Sequence, residues 1–288
     1  MNSIHKMLAL REYAHIVGLE PYKHTSRIAD EKERGELCGE LLDFLFAEKR
    51  MLAAFNLPYK EKRKIVREYL NIRPALPVPD SFIAAQDRLF WSETVARGVM
   101  DIGALTYKEG IAVYAGDITC LNADAIVNSA SPALTGCCIP AHDCIDNVIH
   151  SRAGVQLRND CAAIMRNQGC VEEVGNAKIT SAYNLPCKYI LHTVGPRISL
   201  RVREEDRAAL RSCYTSCLSL ARECGLKSVA FCCISTGVFN FPAEEAAELA
   251  VGTAKQWLLK NSDCGMRIIF DVFTSRDEEI YSEILRHM

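Results

Sequence analysis

The chain has 288 residues, of which 49% are hydrophobic, and its formal charge is -2. This length and composition suffice for a sizeable core and exclude disorder as the main state. Acidic and basic residues are mixed along the chain, so the charge pattern predicts neither a nucleic-acid surface nor an anionic-membrane surface. The densest basic run, residues 60–64, lies in a helical pattern and is interpreted as a solvated helix face.

The fourteen cysteines are scattered through apolar segments of the chain. No stretch approaches 18 consecutive apolar residues, and charges interrupt the short apolar run within residues 1–15 (MNSIHKMLALREYAH), so we expect neither a membrane span nor a secretory signal. This predicts a cytoplasmic protein. In a reducing compartment most of the cysteines are expected to be buried small hydrophobes, and a local cluster of them indicates metal binding or catalysis.

The first part of the chain has the pattern of a helical region. Apolar residues recur at helical spacing within residues 34–52 and again within residues 65–70. Residues 73–81 (RPALPVPDS) are rich in proline, which predicts an extended connector because proline keeps the residue before it out of a helix. We therefore predict a helical N-terminal extension over residues 1–80 and a second domain over residues 81–288.

The second domain is predicted to open with a helix over residues 82–101 and to alternate strands with helices from about residue 111. Such alternation predicts a layered α/β domain, whose ligand site normally lies in loops at the strand ends. The predicted strands are Ile111–Tyr114, Ala125–Val127, Lys178–Thr180, Tyr189–Thr193, Val229–Ile234 and Ile268–Val272. The predicted helices are Cys144–Asn167, Glu204–Cys224, Glu244–Lys260 and Asp277–His287.

Three loops that follow predicted strands could carry chemistry: residues 116–119 (GDIT), residues 128–144 and residues 235–242 (STGVFNFP). The third loop is made of small residues and precedes a predicted helix. Such a loop offers backbone N–H groups to a phosphate, and Gly237 allows a close approach of the backbone.

Residues 136–144 (GCCIPAHDC) concentrate cysteine and histidine. Cys137, His142 and Cys144 have the spacing C-x4-H-x-C, and thiolate with imidazole is a ligand mixture that zinc prefers. Two other interpretations fit the same spacing. The residues could be core cysteines beside a hydrogen-bonded histidine, or a cysteine nucleophile with His142 as its base, although no third orienting group is evident. The spacing alone leaves all three open.

The order of the motifs GDIT, DAIVN, IDNVIH, HTVGP and STGVFNFP resembles that of macrodomains, which bind ADP-ribose. Within that superfamily the chain resembles the zinc-containing protein-ADP-ribose hydrolases (MacroD-like), whose ligand loop opens with glycine and cysteine and which have a helical N-terminal extension. The resemblance implies a three-layer α/β/α macrodomain with a mixed central sheet. It also implies a zinc-dependent hydrolase that removes mono-ADP-ribose from modified protein side chains and releases ADP-ribose.

The resemblance implies one Zn²⁺ ion held by Cys137, His142 and Cys144. Three protein ligands leave one coordination position open for water or substrate, as in catalytic rather than structural zinc sites. Cys138 occupies a position that is usually bulky and apolar in the subgroup, so we expect it to be a packing residue.

The resemblance also implies where ADP-ribose binds. Asp117 and Ile118 match the adenine-binding positions, and an ionised carboxylate suits the amino group of adenine because it only accepts hydrogen bonds. The diphosphate is expected to lie across the STGVFNFP loop, with Phe239 beside the distal ribose. The matching loop positions are Ser235, Thr236, Gly237, Val238 and Phe239.

Asn128, Asp146 and Asn147 match polar positions around the distal ribose and are the expected catalytic residues. Hydrolysis breaks the bond from C1 of this ribose to the modified side chain, and Asp146 is expected to orient or deprotonate the attacking water. Asp146 and His150 are also four residues apart, so a simple surface pair on a helix is the alternative interpretation.

The chain departs from the family at Ser131, where an asparagine is common. A hydroxyl reaches less far than an amide, so the ribose contacts of Ser131 are expected to differ. A reader that binds ADP-ribose without cleaving it is therefore kept as the alternative function. The implied partners are ADP-ribose, a mono-ADP-ribosylated protein and a sirtuin-like ADP-ribosyltransferase system, without nucleic acid or membrane, and the chain is expected to be a monomer.

Overall fold

The structure, a computed structural model, describes residues 7–51 and 56–288. Residues 1–6 of the segment tested for a secretory signal, and Leu52 at the end of the predicted helical segment 34–52, lie outside these ranges. Within these ranges four α-helices precede the sheet: three lie in the predicted helical extension, and the fourth matches the helix predicted over residues 82–101. They are α1 (Leu10–Val17), α2 (Glu31–Glu48), α3 (Tyr59–Ile72) and α4 (Asp80–Arg97).

Local signals explain where these helices begin. The carboxylate of Asp30 accepts a hydrogen bond from the backbone amide of Glu33 (2.9 Å) and caps α2. Pro58 and Pro79 directly precede α3 and α4, positions where the missing N–H of proline costs no helical hydrogen bond. The proline-rich connector is therefore shorter than predicted and ends at Pro79. Within the described ranges, the helices lack the combined length and apolar character needed to cross a membrane.

The remainder of the chain forms a mixed six-stranded sheet flanked by helices. The strand order is β1-β6-β5-β2-β4-β3, and β3 runs antiparallel to β4 while the other pairs are parallel. The strands are β1 (Ile111–Ala115), β2 (Ala125–Ser129), β3 (Ala177–Ser181), β4 (Tyr189–Thr193), β5 (Ser228–Phe231) and β6 (Arg267–Val272). The helices are α5 (Ile145–Ala153), α6 (Val155–Gln168), α7 (Glu204–Glu223), α8 (Ala243–Lys260) and α9 (Ser275–Arg286). The predicted three-layer α/β/α architecture is confirmed.

The single helix predicted over residues 144–167 is wrong, because Gly154 divides it into α5 and α6. Gly154 has φ +114°, a value that favours glycine. A Cβ atom at this position would also lie 2.4 Å from Nε2 of Gln86 on α4. The close approach of α4 is a tertiary contact, which explains why helical periodicity did not reveal the break.

Two hydrophobic clusters hold the described residues together. The larger one surrounds the sheet, where most of the strand residues are fully buried. The smaller one joins α2, α3 and α4, and includes Leu41, Val66 and Phe90 together with Val155 of α6. Helix α4 thus shares a core with α2 and α3, and Val155 links that core to the α/β layers. The predicted domain boundary at residue 80 stays a prediction.

Candidate active site

The structure brings together the three proposed zinc ligands of the metal loop, which we define as residues 136–144. One ligand atom each of Cys137, His142 and Cys144 lies within 4.8 Å of the other two, and Sγ of Cys137 is 3.7 Å from Nδ1 of His142. All three side chains are half-buried. The loop can turn here because Gly136 has φ +82° and packs its backbone against the ring of His150.

The thiol of Cys144 lacks the lowered pKa that is typical of a cysteine nucleophile. Nucleophilic cysteines have a lowered pKa, because the thiolate is the reactive form. Burial raises the pKa of the Cys144 thiol to about 11, and the neighbouring thiol of Cys137 adds to the shift. The loop brings together two cysteine sulfurs and one histidine nitrogen, and zinc prefers this mixture of ligands. The donor set therefore fits this ion.

A buried polar chain lies at the ends of β2 and β4. Asn128 and His192 are directly paired across these strands. Nδ2 of Asn128 donates to Oδ1 of Asp146 (2.8 Å) and to Nδ1 of His192 (3.2 Å). Because Nδ1 of His192 accepts, its Nε2 carries the proton and faces Oγ1 of Thr180 at 3.0 Å. Both donor hydrogens of Asn128 are used, and its Oδ1 has no protein partner among the described residues.

The carboxyl group of Asp146 is 5% exposed and lies on the first turn of α5. Burial raises its pKa to about 6, although hydrogen bonds from Asn128 and from the backbone amide of Ser131 oppose the shift. Oδ1 of Asp146 is 3.6 Å from Nε2 of His150, whose side chain is also buried. The surface-pair interpretation of Asp146 and His150 is therefore wrong. Burial lowers the pKa of His150 well below its usual value, so this imidazole is neutral.

Asn147, predicted to be catalytic, is directed at the metal loop. Its Nδ2 donates to the backbone carbonyls of Cys137 (3.3 Å) and Ile139 (2.9 Å). Its Oδ1 accepts from Nη2 of Arg67 (3.0 Å) and from the hydroxyl of Ser151 (3.0 Å). The catalytic role of Asn147 stays a prediction, whereas these contacts are those of a residue that fixes the loop.

The GDIT segment forms a one-turn 3₁₀ helix with Asp117 as its cap. Oδ1 of Asp117 accepts from the backbone amide of Thr119 (3.0 Å) and from its hydroxyl (2.6 Å), while Oδ2 accepts from Arg152. Burial raises the pKa of Asp117, but the charge of Arg152 and these hydrogen bonds outweigh burial, and the net pKa is below its usual value. The carboxylate is thus ionised and acceptor-only, while Ile118 is buried beside it.

The STGVFNFP loop follows β5 and precedes α8. Ser235 and Asn240 have positive φ values of 67° and 57°, and the backbone amide of Phe241 donates to the carbonyl of Ser235 (3.0 Å), which closes the loop. The amides of Gly237, Val238 and Phe239 donate to no protein acceptor within the described ranges. These free donors, ahead of a helix N-terminus, provide the groups that an anion requires.

Similarity to known proteins agrees with this geometry. A Macro domain model matches residues 127–250. A protein-ADP-ribose hydrolase of Treponema medium is 45% identical over 252 residues, which cover 85% of this chain and 96% of that protein. A protein-ADP-ribose hydrolase of Staphylococcus aureus is 49% identical over 228 residues, covering 78% and 85%. The Trypanosoma brucei macrodomain, solved in complex with ADP-ribose, matches with TM-score 0.59 and 28% identity over 76% of this chain and 94% of its own.

The chain belongs to the protein-ADP-ribose hydrolase family of macrodomains. The family resemblance predicted that Cys138 is a packing residue, and this prediction is wrong for this macrodomain. Cys138 is exposed, and its Sγ lies 3.8 Å from the carbonyl of Gly136. Eight of the fourteen cysteines are buried and all are free thiols, so the general expectation for cysteine holds.

Three groups around the macrodomain site were missed by sequence reasoning. His192 orients Asn128, Arg152 pairs with Asp117, and Arg67 of α3 reaches the metal loop. The HTVGP motif contains His192, so this motif was the available signal for it. Arg67 lies three residues after the basic run 60–64, and nothing local distinguishes it from the basic residues of that run.

Proposed function

We propose that this macrodomain is a zinc-dependent hydrolase that removes mono-ADP-ribose from modified protein side chains and releases ADP-ribose. The main observation is that Cys137, His142 and Cys144 converge in the loop that leads into α5, whose first turn carries Asp146, the buried partner of Asn128. The similarity to protein-ADP-ribose hydrolases supports the choice of substrate.

Cys137, His142 and Cys144 would hold the zinc ion. When bound there, zinc would supply Lewis acidity to the reaction at the distal ribose. Zinc dependence is also supported by the donor set, which combines two sulfurs with one imidazole nitrogen, and by the anchoring of the loop through Asn147.

The remaining parts of ADP-ribose are bound by Asp117 and by the STGVFNFP loop. The ionised carboxylate of Asp117 accepts from the amino group of adenine, beside Ile118. The free amides of Gly237, Val238 and Phe239 donate to the diphosphate, together with the backbone at Ser235 and Thr236. Such donors are fixed before the ligand arrives, so little conformational entropy is lost on binding.

At the distal ribose, Oδ1 of Asn128 accepts from a ribose hydroxyl. This oxygen is buried and has no partner in the described part of the chain, so a ligand hydroxyl removes a desolvation cost of about 1–3 kcal/mol. Asp146 orients the attacking water and accepts its proton while the water oxygen bonds to C1. The bond from C1 to the modified side chain breaks, and the released side chain keeps the bonding electrons and takes up the proton that Asp146 accepted. Ser131 supports this step by donating its backbone amide to Asp146.

Turnover of a mono-ADP-ribosylated protein tests the proposal. The wild type loaded with zinc is expected to release ADP-ribose, and removal of the metal by a chelator is expected to stop release. Cys144→Ala should lose both metal and turnover, whereas Asp146→Asn should keep the metal and lose turnover. Cys170→Ala is the matched control, because Cys170 is a half-exposed free thiol outside the metal loop and should leave both unchanged.

The alternative, a reader, predicts a different result. Binding of ADP-ribose without release from substrates of several linkages, at saturating zinc, would refute the hydrolase proposal. Release that resists both the chelator and Cys144→Ala would refute zinc dependence alone. The cytoplasmic location, the monomeric state and the link to a sirtuin-like transferase stay predictions.

A further inference from the structure

Helix α3 of the N-terminal region presents a polar stripe to the active site. Arg63, Arg67 and Asn71 are spaced four residues apart, which places their side chains on one face of the helix. That face contacts the metal loop and α5. Arg63 donates to the backbone carbonyl of Ser151 at 3.3 Å and is held there by Glu93 of α4 at 2.8 Å.

Arg67 binds the metal loop through the backbone of His142. Nη2 of Arg67 donates to the backbone carbonyl of His142 (2.8 Å) and to Oδ1 of Asn147 (3.0 Å). It also lies 3.2 Å from Oδ1 of Asp143, whose side chain is 88% exposed, so that ion pair contributes little. The contacts of Arg67 that fix the geometry of the loop are therefore those with the His142 carbonyl and the Asn147 side-chain amide. Through Asn147, Arg67 is also connected to the carbonyl of Cys137.

Asn71 holds the centre of the same loop. Its Oδ1 accepts from the backbone amide of Ala141 (2.9 Å), a residue with φ +52°. A non-glycine residue in this conformation is strained, so it persists only when its surroundings hold it there. Nδ2 of Asn71 donates to the hydroxyl of Ser151 (2.9 Å), which in turn donates to Asn147. The side chain of Asn71 is 1% exposed, which protects these bonds from water.

We propose that Arg67 and Asn71 are positioning residues for the metal loop. They fix the backbone at Cys137, Ala141 and His142, so that the sulfur and nitrogen donors converge before an ion binds. The N-terminal helical region would then be part of the metal site rather than a packing layer. The inference rests on the proposed zinc site for its effect on metal affinity, but its effect on the loop is independent of zinc.

The test compares Arg67→Ala, Arg67→Lys and Asn71→Ala in the full chain. Zinc affinity is measured by competition with a chromophoric chelator, and thermal unfolding shows whether each variant remains folded. Removing the partners of metal ligands typically lowers metal affinity by about 10–100-fold, and we expect this loss for Arg67→Ala. Arg67→Lys should restore it in part, because an ammonium keeps the charge but lacks the planar fork. Lys64→Ala, on the same helix with a side chain 71% exposed, should bind zinc as the wild type does.

Amide hydrogen exchange over residues 136–144 separates this inference from the proposed function. Faster exchange in metal-free Arg67→Ala than in the metal-free wild type is the expected result. The same result in a protein whose wild type binds no zinc would remove the zinc proposal and leave the positioning role intact. Unchanged exchange, or unchanged zinc affinity in a wild type that does bind zinc, would overturn the positioning role.

Discussion

Replacement of Asp271 by asparagine is expected to remove a loss of stability that the wild-type macrodomain suffers as the pH rises. Asp271 lies on β6, is 6% exposed, and its Oδ1 has no hydrogen-bond partner among the described residues. Burial raises the pKa of this carboxyl group to about 8, and the negative charge of Asp117 adds to the shift. The usual value is 3.8. The folded chain therefore keeps a proton on Asp271 where the unfolded chain has lost it.

The sign follows from this difference in bound protons. Between the two pKa values the folded state binds more protons, so the free energy of unfolding falls as the pH rises. One proton corresponds to about 1.4 kcal/mol per pH unit, which amounts to about 3 kcal/mol between pH 5 and pH 7. The loss ends above the folded pKa, because Asp271 is then ionised in both states. Asp271→Asn removes this loss, since an amide does not titrate.

Urea unfolding of the two proteins at pH 5, 6, 7 and 8 measures the effect, with fluorescence and circular dichroism followed together as a check of two-state behaviour. The stability difference between Asp271→Asn and the wild type should grow by about 1.4 kcal/mol per unit up to pH 7 and more slowly from pH 7 to pH 8, because the folded pKa is about 8. Asp263→Asn, at an exposed carboxylate, is the control and should show a nearly constant difference. A difference for Asp271→Asn that is flat from pH 5 to pH 8 would refute the reasoning.

Three further substitutions test other parts of the structure. Gly136→Ala should lower stability by about 1–3 kcal/mol in thermal unfolding, because φ is +82° and the new Cβ would lie 2.8 Å from Cγ of His150. Lys178→Met should cost about 3–5 kcal/mol in urea unfolding, because it leaves the fully buried carboxylate of Glu172 without its 2.5 Å partner. Asp117→Ala should weaken ADP-ribose binding by about 10–100-fold in calorimetry, because it removes a hydrogen bond to a charged acceptor.

Each of these expectations has its own control. Gly252→Ala in α8 meets no atom within 4 Å, so a loss of stability as large as that of Gly136→Ala would contradict the steric argument. Adding Glu172→Gln to Lys178→Met should recover part of the loss, and no recovery would mean that the buried charge is not its cause. Equal ADP-ribose affinity in Asp117→Ala and the wild type would exclude Asp117 from the adenine site.

Local patterns were sufficient for much of the fold. All six strands lie where β-rich runs predict them, because buried strands concentrate apolar and β-branched residues over short stretches. The loops with GDIT and STGVFNFP follow β1 and β5 as predicted. The pattern failed at Gly154, where the approach of Gln86 from another helix decides the break. Residues 1–80 were predicted to be helical as a whole, but the spacing of apolar residues identified α2 and α3 and not the short α1.

The sequence by itself determined the order of strands and helices, the family resemblance and the close spacing of Cys137, His142 and Cys144. These properties depend on residues close together in the sequence, where the type of each side chain and the spacing of apolar residues determine the local structure. Only the tertiary structure decided that Asn128 is oriented by His192, 64 residues away, and that Arg67 holds the loop carbonyl of His142 across 75 residues. Such contacts depend on strand register and helix packing, which the whole core sets together, so no local pattern contains them.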